Sequence, residues 1–282
     1  MEKIESFLKS LGAFWAVVAA FPPGARAFYS VSGALFLVVA GMFIRQYSIT
    51  STNLTTSSAT AALERKSLGG DPSAIVELSL TDSPRVVEVI STVLASSPRD
   101  DVRKVAAQAL ANVRDPAKIT ALGECLQREK WEVAAACAQG LGRSRDDRAI
   151  PYLVRALELN VDWLVAQKSA EALGFFPASP RVLSALVAAL DIGSFPAEAA
   201  KQSLVNHGTP AVPYLVEFIA TDHSLEALQL GTEALGLIGD PKAVGPLTDL
   251  RARVQDRREE QRWKDQLIAA IDQAIRRCRG PQ

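Results

Sequence analysis

Two histidines and three cysteines are the only soft metal ligands and strong nucleophiles in the 282-residue chain, so its capacity for chemistry can be judged quickly. His207 is followed by Gly208 and His223 by Ser224, and two such separated histidines do not make a metal site. Cys125, Cys137 and Cys278 form no Cys-x-x-Cys pair and are too few for a disulfide framework. They are expected as small buried hydrophobes, a usage that favours a reducing compartment. No Ser-His-Asp or Cys-His arrangement can be assembled, and Gly140 and Gly142 fall at a helix end instead of after a strand, which excludes a phosphate loop. Catalytic, cofactor-binding and metal-ligating residues are therefore all expected to be absent, and the chain is expected not to be an enzyme.

What recurs is surface. Tyr152 and Tyr214 sit in matching surroundings, Ile150-Pro151-Tyr152-Leu153-Val154 and Val212-Pro213-Tyr214-Leu215-Val216. One helical turn later the series Glu124, Arg155, Ala188, Glu217 and Asp249 follows the same spacing. Trp131 and Trp163 form a second aromatic row, continued by Phe195. Tyrosine and tryptophan offer large apolar area with few rotatable bonds and a polar tip, which suits them to partner surfaces. The candidate protein-binding residues are Tyr152, Arg155, Tyr214, Glu217, Trp131 and Trp163.

The elements that position them repeat. Leu78, Leu110, Leu141, Leu173, Leu204 and Leu235 lie 32, 31, 32, 31 and 31 residues apart. A second ladder runs through Leu94, Leu126, Leu157, Leu190, Ile219 and Leu250. Between the two, Ser83-Pro84, Asp115-Pro116, Ser179-Pro180, Thr209-Pro210 and Asp240-Pro241 each put a capping side chain before a proline, while one unit uses Asp146-Asp147 instead. Each unit is thus a helix, a turn and a second helix with two apolar faces that it cannot bury alone.

The stretches Val102-Arg103-Lys104-Val105-Ala106-Ala107-Gln108-Ala109-Leu110 and Ala234-Leu235-Gly236-Leu237-Ile238-Gly239-Asp240-Pro241-Lys242-Ala243-Val244 carry a resemblance to the HEAT and HEAT-like (phycobilisome-lyase type) repeats. It covers roughly residues 72 to 275. The resemblance implies an all-α, right-handed α-solenoid of about six to seven helical hairpins, with the second helix of each lining the concave side. Functionally it implies a scaffold more often than an enzyme. Deoxyhypusine hydroxylases with this repeat carry His-Glu pairs for a di-iron site, and neither histidine here is followed by Glu. A phycobilin-lyase-like enzyme or enzyme subunit, handling a tetrapyrrole or prosthetic group, is the alternative that the resemblance leaves open, as is a structural subunit of a larger membrane assembly.

Residues 1–45 differ from the rest. Ala27 to Ile44 is 18 residues without a charge, and as a helix it would rise about 27 Å, enough to cross a bilayer. Residues 4–21 suit an interfacial helix ended by Pro22-Pro23-Gly24, with a membrane hairpin as the competing arrangement. Residues 46–70, rich in Ser and Thr up to Ala61, are expected as a flexible linker, and 71–282 as the repeat domain ending in a capping helix. Lys3, Lys9 and Arg26 precede the expected span, which places the N-terminus inside and the repeats on the non-cytoplasmic, periplasmic side of a bacterial membrane. Lys plus Arg equals Asp plus Glu at 31 each, so nothing in the total charge suggests nucleic acid as a partner. The expected partners are a protein, met on the solenoid surface, and the bilayer, met through residues 27–44.

Overall fold

The computed structural model describes residues 58–129, 131–160, 162–256 and 261–280. The expected interfacial helix 4–21, transmembrane helix 27–44 and the first part of the linker lie outside them. Among the described residues no helix is long and apolar enough to cross a membrane. All regular structure among them is helical, as the paired ladders require.

Helix α1 spans 58–68. The repeat units follow: α2 (Pro72–Ser79) with α3 (Val86–Ser96), α4 (Asp100–Asn112) with α5 (Lys118–Arg128), and α6 (Trp131–Ser144) with α7 (Ile150–Leu159). Next come α8 (Trp163–Leu173) with α9 (Pro180–Ala188), α10 (Ser194–His207) with α11 (Val212–Ala220), α12 (Leu225–Ile238) with α13 (Val244–Gln255), and a final α14 (Gln261–Arg279). The linker expectation needs correcting where the chain is described. Residues 58–68 are helical because Leu63 packs on the core, Ser67 is buried and Glu64 accepts from the Ser83 hydroxyl at 2.9 Å.

Both ladders are the core. All six marker leucines from Leu78 to Leu235 are 0% exposed, and the second ladder from Leu94 to Leu250 is also buried. The turns use the expected caps: Asp115 accepts from the Ala117 amide at 2.8 Å, Asp146 from Arg148 at 3.0 Å and Asp240 from Lys242 at 2.9 Å. Thr209 makes no such bond, and its unit enters α11 through a short 3-10 turn, Thr209–Ala211. The final unit is closed by α14, which buries Leu267, Ile271 and Ile275 and ties Arg251 of α13 to Asp272 at 2.8 Å.

The units stack as two layers, and the layers are not equivalent. Successive first helices run side by side with small residues at the crossing. A Cβ added to Gly142 of α6 would lie 2.7 Å from Ala172 Cβ of α8, and one added to Gly236 of α12 would lie 2.8 Å from Ala274 Cα of α14. Gly174, just after α8, meets Ser203 of α10 in the same way, and the Ser203 hydroxyl donates to the Ala170 carbonyl at 2.9 Å. Second helices touch each other far less extensively and are held apart by rings, as where Tyr152 of α7 covers Gly123 of α5. The first helices are therefore the more closely packed layer, and the second helices, with Tyr152 and Tyr214, the more loosely packed one.

Two edges follow from this topology. One carries the turns where first helices end and second helices begin, with the caps just described. The other carries the opposite turns, where first helices start.

Gly236→Val should lower stability by about 1–3 kcal/mol, because its side chain meets backbone that cannot swing aside. Gly245→Ala, at a helical position with nothing within 4 Å of the added carbon, should raise it by about 0.5–1 kcal/mol. Denaturant unfolding of the two variants beside the wild type measures both.

Candidate functional site: an aromatic rim

The edge where first helices start carries the expected second aromatic row. Trp131 opens α6, Trp163 opens α8 and Phe195 follows Ser194 at the head of α10, and they are 68%, 52% and 61% exposed. The rings of Trp163 and Phe195 approach to 5.2 Å between centroids at an interplanar angle of 39°. They form a continuous apolar ledge across two units, against which Leu159, 60% exposed, ends α7. Asp162 holds the head of α8 by accepting from the Leu164 amide at 2.8 Å, which fixes the direction in which Trp163 leaves the helix.

Trp131 is held differently. Its φ is 55°, in the left-handed region that bulky side chains rarely occupy. It lies inside the ring closed by a disulfide between Cys125 of α5 and Cys137 of α6, whose Cα atoms are 6.2 Å apart. Both cysteines are 0% exposed. This corrects the expectation of unpaired cysteines: α5 turns back onto α6 so that two residues with no motif spacing face each other. Only Cys278 is free, buried in α14.

Beside Trp131 an open groove of about 860 Å³ runs between the heads of α4 and α6, lined by Asp100, Asp101, Arg103, Lys104 and Glu132 among others. Arg103 spans its floor, donating to the Ser97 carbonyl at 2.8 Å and pairing with Asp100 and Glu129 at 2.6 and 3.2 Å. Lys104 of α4 reaches Glu132 of α6 across the groove. The first-helix layer continues in the same polar style. Lys201 of α10, 8% exposed, pairs with Glu198 and with Glu233 of α12, each at 2.9 Å. Burial opposes its charge, yet the bonds to Glu198 and Glu233 raise its proton affinity on balance, and Glu233 is correspondingly held ionised by Gln229 and Lys201 despite its own burial.

The tyrosine column takes a different place. Tyr152 and Tyr214 are half-buried on the second helices, Tyr152 spent largely on covering Gly123. Tyr152 and Arg155 line a smaller groove of about 310 Å³ with Leu126, Leu159 and Asp162. Arg155 and Glu217 are exposed, as are the equivalent Glu124, Ala188 and Asp249, so the spacing read in sequence is one solvent-facing stripe. The structure therefore separates the six candidate residues, with Trp131 and Trp163 on the rim and Tyr152, Arg155, Tyr214 and Glu217 on the second-helix layer. Phe195 joins the two tryptophans on the rim.

The histidines sit at opposite edges. His223 stacks on Phe218 with centroids 3.8 Å apart and bonds Asp191 through Nδ1 at 2.6 Å. His207 ends α10 with Nε2 buried. Among the described residues no three His, Cys, Asp or Glu side chains gather in a way that would hold a metal.

Repeat-family models match part of the chain. A model of HEAT repeats matches residues 119–204, and a model of the PBS lyase HEAT-like repeat matches residues 102–128. Among solved structures, human deoxyhypusine hydroxylase is 18% identical with a TM-score of 0.41, covering 79% of this chain and 98% of its own. The phycocyanin lyase complex from Nostoc is 18% identical with a TM-score of 0.39, over 69% of this chain and 97% of that one. An archaeal HEAT-like repeat protein from Thermococcus onnurineus is 14% identical with a TM-score of 0.42, over 77% and 98%. No curated protein sequence matches the chain.

Burial, against the opposing pull of the Leu173 carbonyl, lowers the proton affinity of His207 below its ordinary value of 6.5. As pH falls the unfolded chain is then protonated first, so stability from this group is intact above about 6.5 and declines as pH drops through that value toward the lower folded-state one. His207→Gln should flatten this acid limb in thermal melts between about pH 7 and 5.

Proposed function

We propose that the chain is a non-catalytic scaffold, anchored in the membrane by residues 27–44, that captures a partner protein along the rim of Trp131, Trp163 and Phe195. One observation carries the reading: three consecutive units expose a large aromatic side chain at the same place, where each side chain could instead have been small and polar without cost to the core. Exposed, rotationally restricted rings at the edge of a polar first-helix layer are what a docking polypeptide needs, namely apolar anchors with hydrogen-bonding surface beside them. The groove beside Trp131 extends that surface with the ion-paired heads of α4 and α6.

The repeats are read as lying on the non-cytoplasmic side. The positive charges before residue 27 support this, and the Cys125–Cys137 pair adds independent support because structural disulfides persist in oxidising compartments. That pairing removes the only feature that favoured a reducing one. A second reading, an enzyme or enzyme subunit handling a tetrapyrrole, has the match of residues 102–128 to the PBS lyase HEAT-like repeat behind it. It requires the purified protein to bind bilins and take up their colour.

Crosslinked complexes recovered from gently solubilised membranes test the main reading. Trp163→Ala combined with Phe195→Ala should cut partner recovery by at least about 30-fold, the effect of losing roughly 2 kcal/mol at a hot spot. Tyr152→Phe should leave recovery unchanged. Equal recovery from all three proteins would remove the rim from the account. Separately, thiol labelling of the protein in its native cells should find Cys125 and Cys137 oxidised, and a fully labelled pair would contradict the outward placement.

A further inference from the structure

The total charge is balanced, 31 cationic against 31 acidic residues, but the stack sorts it. On the capping-turn edge, where first helices end, stand Arg114, Arg143, Arg145, Arg181, Arg276 and Arg279, all exposed and none in an ion pair among the described residues. They come from four different units, so the accumulation belongs to the edge and not to one helix. Half of the carboxylates of the same edge are committed: Asp115 and Asp240 cap backbone amides, and Asp146 holds both the Arg148 amide and its guanidinium, leaving Glu77, Asp82 and Asp147 exposed. The opposite edge carries both signs: Asp101, Glu132 and Asp191 are paired with Arg99, Lys104 and His223, and Glu158, Glu226 and Asp256 are exposed.

Exposed apolar side chains share the basic edge. Leu80, Phe175 and Leu237 project from three of its turns at 74%, 58% and 49% exposure. At the last turn an open groove of about 500 Å³ is lined by Leu237 together with Arg276 and Arg277, so that an apolar side chain and two guanidinium groups face one depression.

We propose that the capping-turn edge rests on an anionic phospholipid surface, with the arginines meeting headgroup phosphates and Phe175 and Leu237 entering the headgroup layer. The apolar side chains favour lipid over nucleic acid: leucine gains nothing from a phosphodiester backbone but gains burial at a bilayer surface, where each surface arginine adds about 1 kcal/mol against an anionic leaflet. Such seating turns the opposite edge, with Trp131, Trp163 and Phe195, away from the membrane. The inference stands without a partner protein and without the anchor, because it concerns which edge touches the surface.

The test uses the full chain carrying an environment-sensitive fluorophore on Phe175→Cys, on Leu237→Cys or on Trp163→Cys, with unlabelled-site wild type as the control for Cys278. Vesicles of phosphatidylcholine alone are compared with vesicles containing about 30 mol% phosphatidylglycerol. Labels at 175 and 237 should brighten at least about twofold and shift to the blue on the anionic vesicles only, reverting in about 0.5 M salt, while the label at 163 stays unchanged. Arg143→Glu with Arg145→Glu should abolish the response at 175, with an unchanged melting curve showing that the stack is intact. No change at 175 and 237, an equal change at 163, or a response to a DNA duplex without one to anionic vesicles would each overturn the proposal. Flotation of wild-type protein with phosphatidylcholine vesicles reports on the anchor separately, so the two readings fail independently.

Discussion

The close approach of successive first helices is the constraint on which the rest depends. It exists because glycine and alanine occupy the crossings: Gly142 against Ala172, Gly174 against Ser203, Gly236 against Ala274. Without a side chain at these points the helices pack backbone to backbone, and dispersion contacts accumulate along each pair. The second helices, spaced by rings such as Tyr152 over Gly123, cannot approach as closely. The difference decides which layer packs more closely, and the stacking throws the turns onto two edges where side chains are free to do other work.

Electrostatics then acts on a scaffold that is already fixed. Lys201, nearly buried, costs desolvation that Glu198 and Glu233 offset, and because Glu233 belongs to the next unit the pair also sets the register of α10 against α12. At the turns the carboxylates are drawn inward to cap helices, and Asp146, bonded to Arg148, is held at a pKa of about 2. The arginines beside them have no such duty. A chain with no net charge thereby presents a basic edge and an aromatic one on which both signs of charge meet in pairs.

Much of the fold was legible in sequence because stacking needs a buried leucine at each repeat, and both ladders appear as the core. The caps were legible for the same reason, since a proline after Asp or Ser has few other uses. Which layer packs more closely was not, because it depends on what each glycine meets across the crossing, and periodicity cannot report that. The Cys125–Cys137 pair was hidden by a separation of 12 residues that matches no motif and becomes a contact only when α5 folds back on α6. Of the candidate binding residues, spacing located Trp131 and Trp163 correctly on a shared edge. The separate tyrosine column lies on the second-helix layer, where the Tyr152 ring is spent on covering Gly123. The sorting of charge was invisible to composition, which sums over both edges.

The closer packing of the first-helix layer can be measured directly with pairs of spin labels three units apart. Gln108 and Gln202 are equivalent exposed positions on the first helices α4 and α10, and Glu124 and Glu217 are equivalent exposed positions on the second helices α5 and α11. The account requires the distance between labels at 108 and 202 to be clearly shorter than that between labels at 124 and 217. Equal distances, or a shorter one on the second-helix side, would contradict it.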